Sequence, residues 1–284
     1  MFKSGVFTRI LVALATLSIA IAPTLVGLTQ SSPAASATLP AGCAVASGGE
    51  VFCSVTFDFA NNSQGASWAV PKGVPKATIE LWGGAGGAGG LDCGDGCVAH
   101  AGSKVGHLKF SIPVTPGDEV GVYPGGKGAN GASNASGNGG GAGGASSFST
   151  DFRGGRGGNA GTDGTSGAGG GGGAATIVTY GLSNFIAAGA GGGGGAANFN
   201  DSGTDGVSVH EPAETSYGAN GESVNCDPFC DGGGGGGGGG GLVGGVGGGL
   251  YSVGNESAGY GGTIGESSAD ELATALTKNA VTWS

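Results

Sequence analysis

Large apolar side chains are scarce in this chain. Only 7% of its residues are aromatic and 11% are charged, whereas 72 of its 284 residues are glycine. An ordinary apolar core in a chain of this length needs more bulky side chains than this composition provides. The net charge of −10 and the hydrophobic fraction of 38% also differ from the high charge and low hydrophobicity of disordered chains. The composition therefore favours an ordered chain held together by backbone contacts.

Clusters of basic residues are absent as well. The chain has 10 Lys and Arg against 20 Asp and Glu, and no basic run occurs in it. Nucleic acids and anionic membrane surfaces are bound through clustered Lys and Arg. The sequence therefore argues against both as partners.

Recognisable catalytic and cofactor motifs are also missing. No G-x-S-x-G elbow occurs, and His100, His107 and His210 have neither metal-binding spacing nor a Ser or Cys in a known catalytic arrangement. Residues 121–127 (GVYPGGK) fit most of a phosphate-binding loop, but Gly128 replaces the hydroxyl residue that binds Mg²⁺. We therefore predict no catalytic, cofactor-binding or metal residues and a protein that is not an enzyme. An enzyme with an unrecognised site is the alternative.

Asp and Asn cluster in two glycine-rich stretches, residues 158–165 (GNAGTDGT) and 198–206 (NFNDSGTDG). Similar glycine-aspartate turns bind calcium in repeat proteins. Neither stretch has a repeated register, so we interpret both as solvated turns.

Long glycine runs are the most conspicuous feature that the chain does have. Residues 169–197 set the β-favouring segments TIVTY and NFIAA between glycine runs, and residues 232–241 are all glycine. Such runs form either a flexible linker or side-by-side helices of polyproline II geometry, whose amides bond to neighbouring segments. No strict Gly-X-Y period occurs, which argues against collagen.

We favour the packed array over the linker. In this interpretation residues 232–241 form a central helix and residues 244–262 lie at the rim. Valine at Gly236 is then expected to destabilise the protein strongly, whereas valine at Gly248 is expected to cost much less stability.

The first 37 residues have the features of an export signal. Lys3 and Arg9 precede an apolar stretch, residues 10–28, and Ala35-Ser36-Ala37 offers a small-residue cleavage site. An uncleaved membrane anchor and a lipid anchor at Cys43 are the alternatives.

The predicted domain organisation follows from this signal. Residues 1–37 are the signal peptide, residues 38–54 a segment with a Cys pair, and residues 55–284 a glycine-rich domain. We expect a secreted, extracellular protein with no stable membrane insertion after cleavage; association with the cell surface is the alternative.

Export places all 6 cysteines in an oxidising compartment, where disulfides persist. Six cysteines allow 15 pairings, and pairs of sequence neighbours need the least rearrangement of the chain. A four-thiolate zinc site built from CGDGC and CDPFC is the alternative, although structural zinc sites usually have two-residue spacings. The predicted disulfides are Cys43–Cys53, Cys93–Cys97 and Cys226–Cys230.

The region from residue 55 to residue 128 has the composition and alternation of β-strands. The predicted β segments are VTFDF (55–59), SWAVPKGVPKATIELWGGAGG (67–87) and KVGHLKFSIPVTPGDEVGVYPGGKG (104–128), forming one face-packed sheet. Alternation places Ile79 and Leu81 on one face of TIELW. In the next segment it places Leu108, Phe110, Ile112 and Val114 on one face.

Other residues complete the predicted architecture. Trp68, Trp82 and Trp283 are expected to anchor the core, because few other large residues exist. SSFSTDFRGG (146–155) is expected to return to the sheet. Residues 268–271 (SADE) form a capping box that predicts a short helix with Leu272 and Leu276 on one face, and AVTW (280–283) predicts a closing strand.

The order of these elements carries a family resemblance. SWAVPKGVPKATIELWGGAGG, GHLKFSIPVTPGDEVGVYPGGKG, GGASSF, GGGGGAATIVTY with NFIAAGAGGGGG, and a final GGLYSVGN with VTW together resemble the bacterial secreted glycine-rich domain family. They are also similar to the extracellular glycine-rich domain of the anaplastic lymphoma kinase and leukocyte tyrosine kinase receptors. The resemblance covers roughly residues 55–283. The kinase and membrane-spanning parts of the receptors are missing, so receptor function is not carried over.

What the resemblance implies is a mainly β fold: a tumour-necrosis-factor-like β-sandwich with an inserted bundle of packed polyglycine II helices. The expected function is a secreted or cell-surface module, structural or for recognition, that presents loops on a rigid glycine-rich scaffold. Its expected partner is an unknown protein or glycan at a cell surface. An adhesin, by analogy with phage tail adhesins that use similar glycine arrays, is the alternative.

Sequencing the N-terminus of the exported protein tests the signal prediction. We expect the mature chain to start near Thr38, because the cleavage site directly precedes it. Retention of the intact chain in the cytosol would contradict both the signal and the disulfide prediction.

Overall fold

The computed structural model describes residues 42–45, 51–92, 100–162, 165–196, 203–210, 213, 215–225, 231–253, 256–269 and 281–283. All of them belong to one unit, Pro40–Ser284. The prediction of a mainly β chain is confirmed. The strands are β1 (Cys43–Val45), β2 (Val51–Cys53), β3 (Ala66–Ala69), β4 (Lys76–Trp82), β5 (Gly106–Pro113), β6 (Glu119–Tyr123), β7 (Thr176–Tyr180), β8 (Ser183–Ala187), β9 (Val207–His210), β10 (Leu250–Val253), β11 (Glu256–Gly259), β12 (Thr263–Ile264), β13 (Ser268–Ala269) and β14 (Val281–Trp283).

Two antiparallel sheets contain most of these strands. One has the order β13-β8-β7-β6-β3 and the other the order β14-β5-β4. The closing strand predicted at the C-terminal end is confirmed, since β14 pairs with β5. The smaller pairings are β1 with β2, β10 with β11, and the parallel pair β9 with β12.

The two sheets face each other across one apolar cluster. The rings of Phe110 on β5 and Phe185 on β8 join them, with centroids 4.3 Å apart. The predicted alternation is confirmed, because Ile79 pairs with Phe110 and Leu81 with Leu108 and all four face this cluster. Its buried members are Val70, Leu81, Leu108, Phe110, Ile112, Val114, Val120, Val178, Phe185 and Ala187.

The predicted single sheet is wrong, because the chain changes sheets between β3 and β4. Pro71 and Pro75 lack the N–H that a ladder needs, which disfavours a continuous strand through the connection. The bonds at its two ends show the change of sheet: the Val70 N–H donates to Asp118 O, beside β6, and the Val114 N–H, beside β5, donates to Pro75 O.

The strand predicted at residues 55–59 is also wrong. This stretch is irregular and ends in a turn, where Asp58 Oδ1 accepts a hydrogen bond of 2.9 Å from the Asn61 N–H. Such local side-chain bonds compete with a ladder. Val55 is 43% exposed, so apolar composition alone did not bring this stretch into a sheet.

Three further expectations have mixed outcomes. Residues 146–155 do return to the sheet, since Phe152 packs against Ile177 and Ile186. Cys43 and Cys53 form the predicted disulfide and are opposite each other in the β1–β2 hairpin.

In the predicted capping box, Ser268 and Ala269 are instead strand β13, paired with β8. The rest of that predicted helix lies outside the described residues.

The all-glycine run 232–241 is buried throughout and is bonded to segments on every side. Its N–H groups donate to three neighbouring segments, and each segment is contacted at every third residue of the run. The donor–acceptor pairs are 233–257, 236–260 and 239–263 for the first segment, 234–167, 237–170 and 240–173 for the second, and 235–222, 238–219 and 241–216 for the third. Its carbonyl groups accept with the same period from three other segments. The acceptor–donor pairs are 232–161, 235–158 and 238–155 for the first segment, 234–195, 237–192 and 240–189 for the second, and 236–248 and 239–245 for the third. Six segments therefore surround this run, three accepting and three donating.

At some amides of the described glycine-rich segments, a side chain takes the place of a backbone acceptor. Four such acceptors repeat at a spacing of three: Asn130 and Ser133 accept from the N–H groups of 88 and 91, and Asn220 and Ser223 accept from those of 156 and 159. Short polar side chains thus close the outer edge of the glycine segments, where a backbone donor would otherwise lack a partner.

The prediction that a side chain at Gly248 costs much less than one at Gly236 is wrong. A Cβ at this position would overlap the Tyr260 carbonyl oxygen, just as a Cβ at Gly236 would overlap that of Gly192. Gly248 donates its N–H to Gly236 O, so it directly contacts the central run. The next residue, Gly249, has room for a side chain, since the nearest atom to an added Cβ there is Glu222 Oε2 at 3.4 Å.

Alanine substitutions at these positions measure how tightly the glycine segments pack. Gly236→Ala is expected to lower the free energy of unfolding by several kcal/mol, since separating the segments leaves two or three buried backbone groups without partners at about 1–3 kcal/mol each. Gly248→Ala is expected to be similarly harmful. Gly249→Ala is the matched control and is expected to change stability by no more than about 0.5 kcal/mol. Denaturant melts decide the question, and equal small effects at all three positions would contradict tight packing.

Candidate functional site

The outer face of β4 and β5 carries an exposed tryptophan. Ile79 and Leu81 face the apolar cluster, and side chains alternate along a strand, so Trp82 points outward and is 48% exposed. The prediction of a core anchor at Trp82 is therefore wrong. The alternation that correctly placed Leu81 already required this orientation for its neighbour.

His107 holds the indole of Trp82 in place. The two residues are directly opposite each other on β4 and β5, and their rings stack with centroids 4.8 Å apart and an interplanar angle of 6°. The His107 side chain is only 17% exposed. Its Nε2 lies 3.0 Å from Glu80 Oε1, which fixes the ring from the other direction.

Glu80 links this stack to a cation. Its Oε2 lies 3.2 Å from Lys109 Nζ, again between residues directly opposite each other. The hydrogen bond with Lys109 is the main cause that holds the pKa of the Glu80 carboxyl below its ordinary value, and the bond with His107 acts in the same direction.

The third pair on this face is Thr78 with Ser111, whose hydroxyl oxygens are 2.9 Å apart. Each of the three residue pairs is thus joined across the strands by a stack, an ion pair or a hydrogen bond. We call this set the outer platform: Thr78, Glu80 and Trp82 on β4 with Ser111, Lys109 and His107 on β5. Sequence reasoning missed the outer platform because the spacing of residues along one strand does not reveal which residues of the neighbouring strand are opposite them.

The remaining predicted residues lie elsewhere. His100 Nδ1 lies 3.3 Å from Asp205 Oδ1, which also accepts from the Ala101 N–H. His210 is in β9. Trp68 packs against the apolar cluster, which confirms the predicted anchor. The backbone of Trp283 is in β14, but its side chain is outside the described set.

Residues 121–128 do not form a loop around a free anion site. Gly121 and Tyr123 are in strand β6, and the amides of Gly126 and Gly128 donate to Ala145 O and Ala85 O. These amides therefore hold neighbouring segments together.

The Asn and Asp stretches are partly described. Asn159 Oδ1 accepts from the Gly140 N–H, and Asp205 bonds to the segment that carries His100. Both side chains contact backbone, and the Asp205 side chain is also 71% exposed, which agrees with the predicted solvated turn at that residue. Within the described residues, no group of three His, Cys, Asp or Glu could hold a metal ion. Cys93, Cys97, Cys226 and Cys230 lie outside them.

No helix in the described part of the chain is long and apolar enough to cross a membrane. A scan against protein-family models finds no match for the sequence, and a search of the curated proteins finds no similar one.

Acid is expected to weaken the contacts that the Glu80 carboxylate makes in the outer platform. Because the pKa of Glu80 is lowered in the folded protein, its contribution to stability is complete above the ordinary pKa of an unfolded glutamate and is lost as pH falls through the lower folded value. The indole N–H resonance of Trp82, assigned by its loss in Trp82→Phe, is expected to shift with a midpoint below the ordinary glutamate value. Glu80→Gln is expected to abolish this transition; the same midpoint in both proteins would contradict the assignment.

Proposed function

We propose that this protein is a secreted or cell-surface module without enzymatic activity, which presents recognition side chains on a rigid glycine-rich scaffold. The observation that carries the proposal is the three-residue repeat of hydrogen bonds around residues 232–241. A segment bonded on all sides cannot bend or flex as a linker does. Surfaces attached to such a scaffold keep a fixed geometry, which favours recognition.

We further infer a tumour-necrosis-factor-like β-sandwich with an inserted bundle of polyglycine II helices, as in the secreted glycine-rich domain family. Support comes from the two antiparallel sheets that share one apolar cluster. The period of three in the bonding of the glycine run equals the number of residues per turn of a polyproline II helix.

Export is part of the same proposal. The Cys43–Cys53 disulfide supports it, since disulfides persist in oxidising compartments. We propose that Cys93 pairs with Cys97 and Cys226 with Cys230 in that environment. The partner in this proposal is a protein or glycan at a cell surface.

In this proposal the two histidine side chains that the structure describes position other groups. His100 bonds to Asp205 and His107 to Glu80. His107 is also stacked on Trp82, so its imidazole helps hold a ring in place, which is a positioning role.

Binding of the purified, fluorescently labelled mature protein to intact cells of the species that makes it tests this function. We expect saturable binding, with the endogenous protein in the medium or wall fraction. Gly249→Ala is expected to bind as the parent does, and Gly236→Val is expected to lose binding because the scaffold no longer holds its surface. A cytosolic endogenous protein, or binding that does not saturate, would overturn the proposal.

A further inference from the structure

The indole of Trp82 has one covered face and one open face. His107 stacks against it from β5, yet the side chain remains 48% exposed. Among the described strands, β4 is at the edge of the three-stranded sheet, with β5 on one side only. The open face of the indole is therefore available along the outer edge of β4.

Polar side chains continue the surface along the same strand. Glu80 and Thr78 are two and four residues from Trp82 on the same face of β4, at intervals of about 7 Å. Each is held by the residue opposite it on β5, Glu80 by Lys109 and Thr78 by Ser111. The surface thus offers an aromatic ring, a carboxylate and a hydroxyl in a line, all fixed before any ligand arrives.

The composition of this surface decides which ligand fits it. Trp82 is the one large apolar side chain exposed on the described β4 and β5, which is too little for the apolar centre of a protein interface. A net charge of −10 disfavours nucleic acid. A sugar ring, by contrast, has polarised C–H groups that suit the electron-rich face of an indole, and hydroxyls that suit a carboxylate and a threonine.

We propose that the outer platform is a carbohydrate site, in which a neutral pyranose ring of a surface polysaccharide stacks on the open face of Trp82. Glu80 and Thr78 hydrogen-bond to the hydroxyls of the same ring or the next one, with Glu80 accepting. His107, Lys109 and Ser111 are positioning residues, since they act through their partners on β4. This inference rests on the proposed recognition function and names its ligand class and its site.

Titration with defined oligosaccharides tests the site. The probes are cellohexaose, chitohexaose and mannohexaose, followed by calorimetry and by the indole N–H resonance of Trp82. At least one probe is expected to bind and to shift that resonance. Trp82→Ala is expected to weaken binding at least roughly tenfold, whereas Trp82→Phe keeps part of it.

Tyr260→Ala is the matched control. It removes another aromatic ring with 47% exposure, whose ring neighbour is Tyr251 and not a residue of the outer platform, and is expected to bind as the parent does. His107→Ala is expected to weaken binding by less than Trp82→Ala, and His107→Phe, which restores a stacked ring, is expected to recover it. A purely structural role of His107 would instead lower the melting temperature and leave the affinity of the folded protein unchanged.

Three outcomes overturn the carbohydrate site: no binding of any probe at millimolar concentration, equal affinity of Trp82→Ala and the parent, or an equal loss in Tyr260→Ala. Failure of this site is distinguishable from failure of the proposed function. Saturable cell binding that survives Trp82→Ala leaves the recognition module in place with another surface. A cytosolic location removes the module, while the titration still decides the chemistry of the platform.

Discussion

The hydrogen bond from a glycine amide to the carbonyl of a neighbouring segment is the interaction on which this structure depends. It requires two backbones to approach so closely that an added Cβ would overlap a carbonyl oxygen, as at Gly236 against Gly192 and at Gly248 against Tyr260. The glycine content is therefore a consequence of this bonding and not of a need for flexibility. The scarcity of large side chains follows as well, since the centre of the array has no space for them.

The sheets determine the register of these segments. Strand β4 ends two residues before Gly84, β7 begins two residues after Ala174, and β8 ends three residues before Ala190. At this junction the Gly84 N–H donates to Ala174 O, the Ala190 N–H to Gly84 O, and the Gly173 N–H to Ala190 O. The apolar cluster that holds the three strands thus also fixes where their glycine segments start, and the period of three carries that register outward.

Sequence reasoning succeeded where a pattern lies within one segment. The alternation of Leu108, Phe110 and Ile112 identified a strand and its buried face, and the all-glycine run identified the central segment. It failed where the outcome depends on a partner distant in sequence. Gly248 lies among residues typical of a rim, but its neighbours are Gly236 and Tyr260. The outer platform was missed for the same reason, because the pairing of Trp82 with His107 exists only after β4 and β5 align.

The location of the candidate site on the sheet has a physical reason. Inside the glycine segments there are almost no side chains, and at their edges the polar ones, such as Asn130 and Asn220, already accept backbone hydrogen bonds. Freeing such a side chain for a ligand would leave an amide without a partner, at about 1–3 kcal/mol where it is buried. On β4 the backbone groups that face β5 are bonded by the sheet itself and need no side chain as an acceptor. Glu80 and Trp82 are therefore free to face solvent, which makes the sheet the place where this fold can carry chemistry without weakening its scaffold.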